Sequence, residues 1–104
     1  MTAQMQAITK RVADHYSVAY RDIVANREQR RQRYRAPHLV EARRVAMFVI
    51  RQSMRASYPE IARFFHVDHT SVIGACKKIG AARVLGAESL IDQILFPSTR
   101  VGNA

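Results

Sequence analysis

The chain has 104 residues, 48% hydrophobic and 24% charged: enough for one folded domain, too few for an enzyme with two domains closing on a cleft. Lys and Arg number 17 against 8 Asp and Glu, a net charge of +9, which points to a polyanionic partner, nucleic acid first and an anionic membrane surface second. The single Cys excludes an internal disulfide and a multi-cysteine zinc or iron–sulfur site, and it fits the reducing cytoplasm.

Four Gly and three Pro leave long uninterrupted stretches, which argue for helices. Met5, Ile8 and Val12 recur at spacings of three and four and predict a first helix over residues 2–15. No charged N-terminal segment leads into an apolar run, so no signal peptide is expected. Tyr16, Val18, Tyr20, Ile23 and Val24 predict a short second helix over 20–25. Residues 26–35 then read Asn-Arg-Glu-Gln-Arg-Arg-Gln-Arg-Tyr-Arg. With five arginines, one acid and one aromatic ring, this segment cannot bury a face and reads as a solvated loop or arm.

Pro37 suits the first turn of a third helix, running to about 55. Leu39, Ala42, Ala46, Val49 and Ile50 form its buried stripe. Val45, Met47 and Phe48 widen the apolar surface, as expected of a central core helix. The longest apolar stretch, residues 45–50, is far too short to span a bilayer. Ser57, Pro59 and Glu60 then form a capping box that starts a fourth helix over 59–65. Asp68 is the next start signal, its carboxylate placed to accept from the amides of Thr70 and Ser71. A fifth helix follows over 69–79, with room to continue to 83. Val72, Ile73, Cys76 and Ile79 give its apolar face, and Lys77 and Lys78 lie at the cation-favouring end. Gly86 breaks the pattern. Residues 87–96 read as a last helix with Leu90, Ile91, Ile94 and Leu95 buried, Pro97 stops it, and 98–104 form a tail. There is no internal repeat and no alternating strand pattern. The expectation is an all-α domain of five to six helices over residues 1–97, with a basic arm at 26–36.

Residues 58–79 carry the informative pattern. Two helices flank a very short turn, His66-Val67. Apolar residues fall at Ile61, Ala62, Phe65, Val67, Val72 and Ala75. Counting from Tyr58, the small Ala62 takes the fifth position, where two helices must pass closely. Val67 plugs the turn and Val72 anchors the second helix. This is the packing of a helix-turn-helix, whose second helix presents its N-terminus to the DNA major groove. His66 stands where such turns often carry Gly for a positive φ. An ordinary helical hairpin is the alternative reading of the spacing, and the net charge favours DNA.

The run Asp68-His-Thr-Ser-Val-Ile-Gly-Ala-Cys-Lys-Lys-Ile79 resembles the signature of the C-terminal DNA-binding domain of the bacterial DnaA replication initiator. That family typically reads Asp-His-Thr-Thr-Val, a short spacer, Ala-Cys, two basic residues and Ile. Tyr58-Pro-Glu-Ile61 is similar to its Leu-Pro-Glu-Ile, Arg43-Arg-Val-Ala-Met47 to its Arg-Gln-Ile-Ala-Met, and Val12 to Tyr16 to its first helix. The likeness covers roughly residues 8–83.

The resemblance implies a Trp-repressor-like helical domain that binds an A/T-rich, asymmetric DnaA box. Under it, Asp68 accepts from a cytosine amine, and His69 donates to an acceptor and packs on a thymine methyl. Thr70 and Ser71 offer hydroxyls, and Pro59 lies near the bases or backbone. Arg43, Arg44, Arg51 and Lys78, with Lys77 beside it, fall at or near phosphate-contacting positions, which orient the domain without reading sequence. The family's basic loop inserts an Arg in the minor groove. Here that loop is longer, and Arg27, Arg30, Arg31, Arg33 and Arg35 are equal candidates. The turn before Asp68 is shorter than the family's and lacks its Gly and Arg. No Gly-x-x-x-x-Gly-Lys-Ser/Thr loop is present, so the reading is a stand-alone relative without the initiator's ATPase.

Other chemistries fit less well. His66, Asp68, His69 and Cys76 suggest a metal site, but Asp68 is better explained as a cap and Cys76 as a small core residue. No nucleophile–base–orienter trio or paired carboxylates stand out, so neither catalysis nor a cofactor is expected. The arginine segment reads as a DNA-contacting arm, a plain solvated loop, or an RNA- or membrane-binding patch, with Tyr34 as its lone stacking ring. The leading expectation is a cytoplasmic, nucleoid-associated protein, monomeric or weakly dimeric, bound to double-stranded DNA and not to membrane. It would regulate transcription, or modulate replication initiation by competing or interacting with an initiator. The alternatives are a protein-interaction adaptor that keeps the fold without box recognition, and a non-specific nucleic-acid binder.

Overall fold

Val45, Ala46, Met47, Phe48, Val49 and Ile50 are all buried. A helix apolar on every side at one level must be surrounded by other elements, and this one is. A computed structural model of the chain describes residues 2–25 and 37–82 as five helices, with no strand among them. They are α1 (Thr2–Tyr16), α2 (Tyr20–Ile23), α3 (Pro37–Met54), α4 (Tyr58–Phe65) and α5 (His69–Ala82). The basic segment at 26–36 and the helix expected at 87–96 lie outside the described residues.

Helix α3 packs most extensively on α5 and α1, and α5 also packs on α4. Met5 and Val12 of α1, Ile23 of α2, Ile61 and Phe65 of α4, and Val72 of α5 join the α3 residues in one core. Each fully buried Val, Ile or Phe side chain contributes about 1.5–3 kcal/mol, against the chain entropy that ordering costs. Thr9 is the one buried polar residue among the described residues. Its hydroxyl donates to the Met5 carbonyl one turn back, at 2.7 Å, so this hydroxyl is satisfied inside the core.

Two polar ties fix the outer helices to α3. The Tyr16 hydroxyl donates to Glu41 Oε2 at 2.8 Å. Burial, then that hydrogen bond to Glu41, pushes the Tyr16 phenol well above its ordinary pKa, so it stays a donor. Arg43 donates from Nε to the Ile23 carbonyl at 3.0 Å and from Nη2 to the Asp22 carbonyl at 3.1 Å. A single helical turn cannot satisfy its own carbonyls, and a cation at that end also suits the peptide dipoles. Helix α2 is shorter than the expected 20–25 because Val24, at φ −93° and ψ 7°, already leaves helical geometry.

Three helices are followed by left-handed residues that are not glycine: Ser17 after α1 (φ 56°), Arg55 after α3 (φ 54°) and His66 after α4 (φ 57°). After α1, Ser17 N–H donates to the Asp14 carbonyl at 3.2 Å and Val18 N–H to the Ala13 carbonyl at 3.0 Å. This reverses the chain while satisfying carbonyls that the helix leaves open. No helix among the described residues is long and apolar enough to cross a membrane.

Candidate nucleic-acid interface

Local chemistry starts the first helix of the interface. The Ser57 hydroxyl accepts from the Glu60 amide at 3.2 Å, and Glu60 Oε1 accepts from the Ser57 amide at 3.0 Å. This is the reciprocal box expected from the sequence. Ser57 is extended (φ −69°, ψ 155°), so α4 begins at Tyr58, one residue before the expected start. The Ser57 amide, followed by its hydroxyl, holds the Glu60 carboxyl below its ordinary pKa. Ile61, Ala62 and Phe65 are buried, and the small Ala62 lies where the two helices need close approach.

The turn closes through backbone bonds. His66 takes φ 57°, ψ 47°. Its amide donates to the Arg63 carbonyl at 3.4 Å, and the Val67 amide to the Ala62 carbonyl at 3.0 Å. That pair of bonds around a left-handed residue is the Schellman pattern. Val67 packs on the core, as the apolar residue after such a turn commonly does. The Asp68 carbonyl then accepts from the amides of Ser71 at 3.0 Å and Val72 at 3.4 Å, which starts α5.

Helix α5 separates two tasks along its length. Asp68, His69, Thr70 and Ser71 are all exposed. Val72 is fully buried and Ala75 nearly so, with Cys76 and Ile79 half-buried against the core. The helix is therefore anchored one turn in, while Asp68 and the first turn after it project polar or ionisable side chains to solvent. It continues to Ala82, within the expected extension beyond 79. Burial pushes the Cys76 thiol above its ordinary pKa, against a smaller opposing pull from Arg51. Among the described residues, no group of three His, Cys, Asp or Glu side chains is placed to hold a metal ion.

The remaining residues expected to touch DNA divide by position. Pro59 is exposed in the first turn of α4. Arg43, Arg44, Ser71 and Lys78 come together around one groove between α3 and α5. Lys77 is exposed and does not line that groove. Arg51 is engaged within the protein, donating from Nη1 to the Ala56 carbonyl at 2.7 Å, with its guanidinium carbon 4.2 Å from the Tyr58 ring centre. Arg27, Arg30, Arg31, Arg33 and Arg35 lie outside the described residues. Gly74 also lines the groove, although it is not among the residues that the sequence assigns to DNA. A glycine inside a helical pattern is the signal that could have found it.

Two short helices joined by a tight left-handed turn, the second anchored behind an exposed polar first turn, define a helix-turn-helix DNA-binding domain. The family described as Bacterial dnaA protein helix-turn-helix matches residues 5–79, and the chain belongs to it. The chain is similar to the chromosomal replication initiator protein DnaA of Brucella abortus, 34% identical over 93 residues, 88% of this chain and 17% of the relative. The protein of the same name from Bartonella quintana is 36% identical over 77 residues, 73% of this chain and 14% of the relative. That from Nostoc punctiforme is 36% identical over 80 residues, 76% and 16% respectively. The chain spans less than a fifth of the length of each of these three relatives.

Proposed function

We propose that the chain binds double-stranded DNA sequence-specifically, at A/T-rich sites like the DnaA box, and thereby regulates transcription or modulates the initiation of replication. The observation that carries this reading is the exposed run Asp68-His69-Thr70-Ser71 at the start of a helix anchored by Val72 and Ala75. Side chains at that end of a recognition helix reach base edges. In this reading Asp68 accepts from a cytosine amine, and His69 donates to a purine acceptor and packs on a thymine methyl. Thr70 and Ser71 contribute hydroxyls, with Pro59 alongside. Arg43, Arg44, Arg51, Lys77 and Lys78 hold the phosphates, and one of Arg27, Arg30, Arg31, Arg33 and Arg35 enters the minor groove. A monomer suffices for an asymmetric site.

The test is a gel-shift titration with a DnaA-box duplex and a scrambled duplex at one salt concentration. Tighter binding to the box is expected, with affinity falling steeply as salt rises. Equal affinity for the two duplexes would leave only non-specific binding. No binding to either would favour an adaptor role. Replacing Arg30, Arg31, Arg33 and Arg35 together by Ala should reduce the salt slope by about 0.9 for each phosphate these arginines neutralise. An unchanged slope would remove the segment from the interface.

A further inference from the structure

We propose that Gly74 is the point at which a DNA strand passes against the backbone of α5. This rests on the reading of α5 as a DNA-binding helix. Gly74 lies inside a 14-residue helix, where glycine is among the least favourable residues. A structural need for glycine takes one of two forms: a left-handed backbone, or a neighbour that leaves no space for a Cβ. Neither holds at Gly74. It is helical and exposed, and a Cβ placed on it would meet no atom of the described residues within 4 Å. At Gly80, by contrast, a Cβ would stand 3.6 Å from the Phe48 ring, in packing distance. Among the described residues, then, nothing uses the open space at Gly74, and a ligand can enter it.

The surroundings define its chemistry. Gly74 lines a groove of about 440 Å³ between α3 and α5. On α5, Ser71 lies three residues before it and Lys78 four residues after, both on the same face. Arg43 and Arg44 line the groove from α3. The Ile23 and Asp22 carbonyls hold the Arg43 guanidinium, so its charge is in place before any ligand arrives. The described lining includes no carboxylate, and the buried Met47 and Ala75 supply an apolar floor. Cations and a hydroxyl beside an apolar floor suit alternating phosphates and sugar carbons, and a glycine between Ser71 and Lys78 lets the strand lie close enough to meet both.

The experiment compares Gly74→Ala and Gly74→Leu, which leave the charge unchanged, with the parent chain. Each is titrated with the DnaA-box and scrambled duplexes and melted in parallel. Both variants should be more stable, Ala by roughly 4 °C, since better helix formers replace glycine without meeting any protein atom. Leu should weaken binding to both duplexes by about tenfold, the scale of a single charge-assisted hydrogen bond. Ala should weaken binding less. The salt slope should fall by about 0.9 for each phosphate displaced. Ala81→Leu, on the same helix and outside the groove, should leave both affinities unchanged. If Leu disturbs the fold, Gly74→Gln, equally neutral, takes its place. Parental affinity in a folded Gly74→Leu or Gly74→Gln protein overturns the proposal. A parent that binds neither duplex overturns the DNA reading and this proposal with it. A parent that binds both equally overturns box recognition alone, and the variants then decide the strand's path on the scrambled duplex.

Discussion

The guanidinium of Arg51 stands over the ring of Tyr58, 4.2 Å from its centre, and reaches the carbonyl of Ala56 between them at 2.7 Å. Arg51 belongs to α3 and Tyr58 opens α4, so one side chain spans the joint that sets α4 on the core. Arg51→Ala should cost about 1–2 kcal/mol, because it removes both the cation over the ring and the hydrogen bond. Arg51→Lys should recover little, since an ammonium lacks the planar, multi-donor head. Thermal melts of the three proteins check this. A Lys variant as stable as the parent would show that the planar stacking contributes nothing.

His66 holds φ 57°, a conformation costly for most side chains and most costly for β-branched ones. His66→Val should lose about 1–2 kcal/mol, whereas His66→Asn should be close to neutral because Asn accepts this region. The measurement is chemical denaturation of both variants. Equal midpoints would mean the turn relaxes out of the left-handed region at little cost.

His69 and Val72 lie one turn apart on α5 with opposite surroundings, the first in solvent and the second fully buried. His69→Ala should leave the melting temperature nearly unchanged and remove roughly 1–3 kcal/mol of discrimination for the cognate base pair. Scrambled-site affinity should hardly move. Val72→Ala should instead cost about 2 kcal/mol of stability through the cavity it leaves. Specific and scrambled-site titrations beside the melts separate the two. Equal weakening on both duplexes by His69→Ala would make it a phosphate-binding or a structural residue.

The box at the start of α4 has a pH dependence. Bonds from Ser57 hold the Glu60 pKa below its ordinary value of 4.5. A folded pKa below the unfolded one stabilises the protein above the ordinary range, and the contribution is lost as pH falls through the lowered value. Glu60→Gln keeps an acceptor for the Ser57 amide but does not titrate. The stability advantage of the parent over Glu60→Gln should therefore be present at neutral pH and shrink on acidification. Melting curves from pH 7 downward test this, and a constant difference would show that the charge is immaterial.

Features set by nearby residues are legible in the chain itself. The Ser57–Glu60 box, the start of α3 at Pro37 and the buried run at 45–50 depend on residues a few positions apart. Other features depend on chain segments brought together only by folding. Nothing near Arg43 in sequence shows that it caps α2, 20 residues earlier, and the Tyr16–Glu41 bond spans 25. The reversals after α1, α3 and α4 are obscured for a different reason. Their left-handed positions carry Ser17, Arg55 and His66, so the glycine that usually marks such a position is missing. Gly74 carries the opposite ambiguity: a helical glycine looks like a local weakness until the space around it is seen.

Because the side chains at 68–71 face solvent while Val72 and Ala75 hold the helix, the positions proposed to read DNA and those that keep the domain folded are different. Substitutions in the first group escape the stability threshold that restrains core changes. A lineage could therefore exchange one target site for another in single steps, each step leaving a folded protein. A library randomised at His69, Thr70 and Ser71 would start from the same advantage.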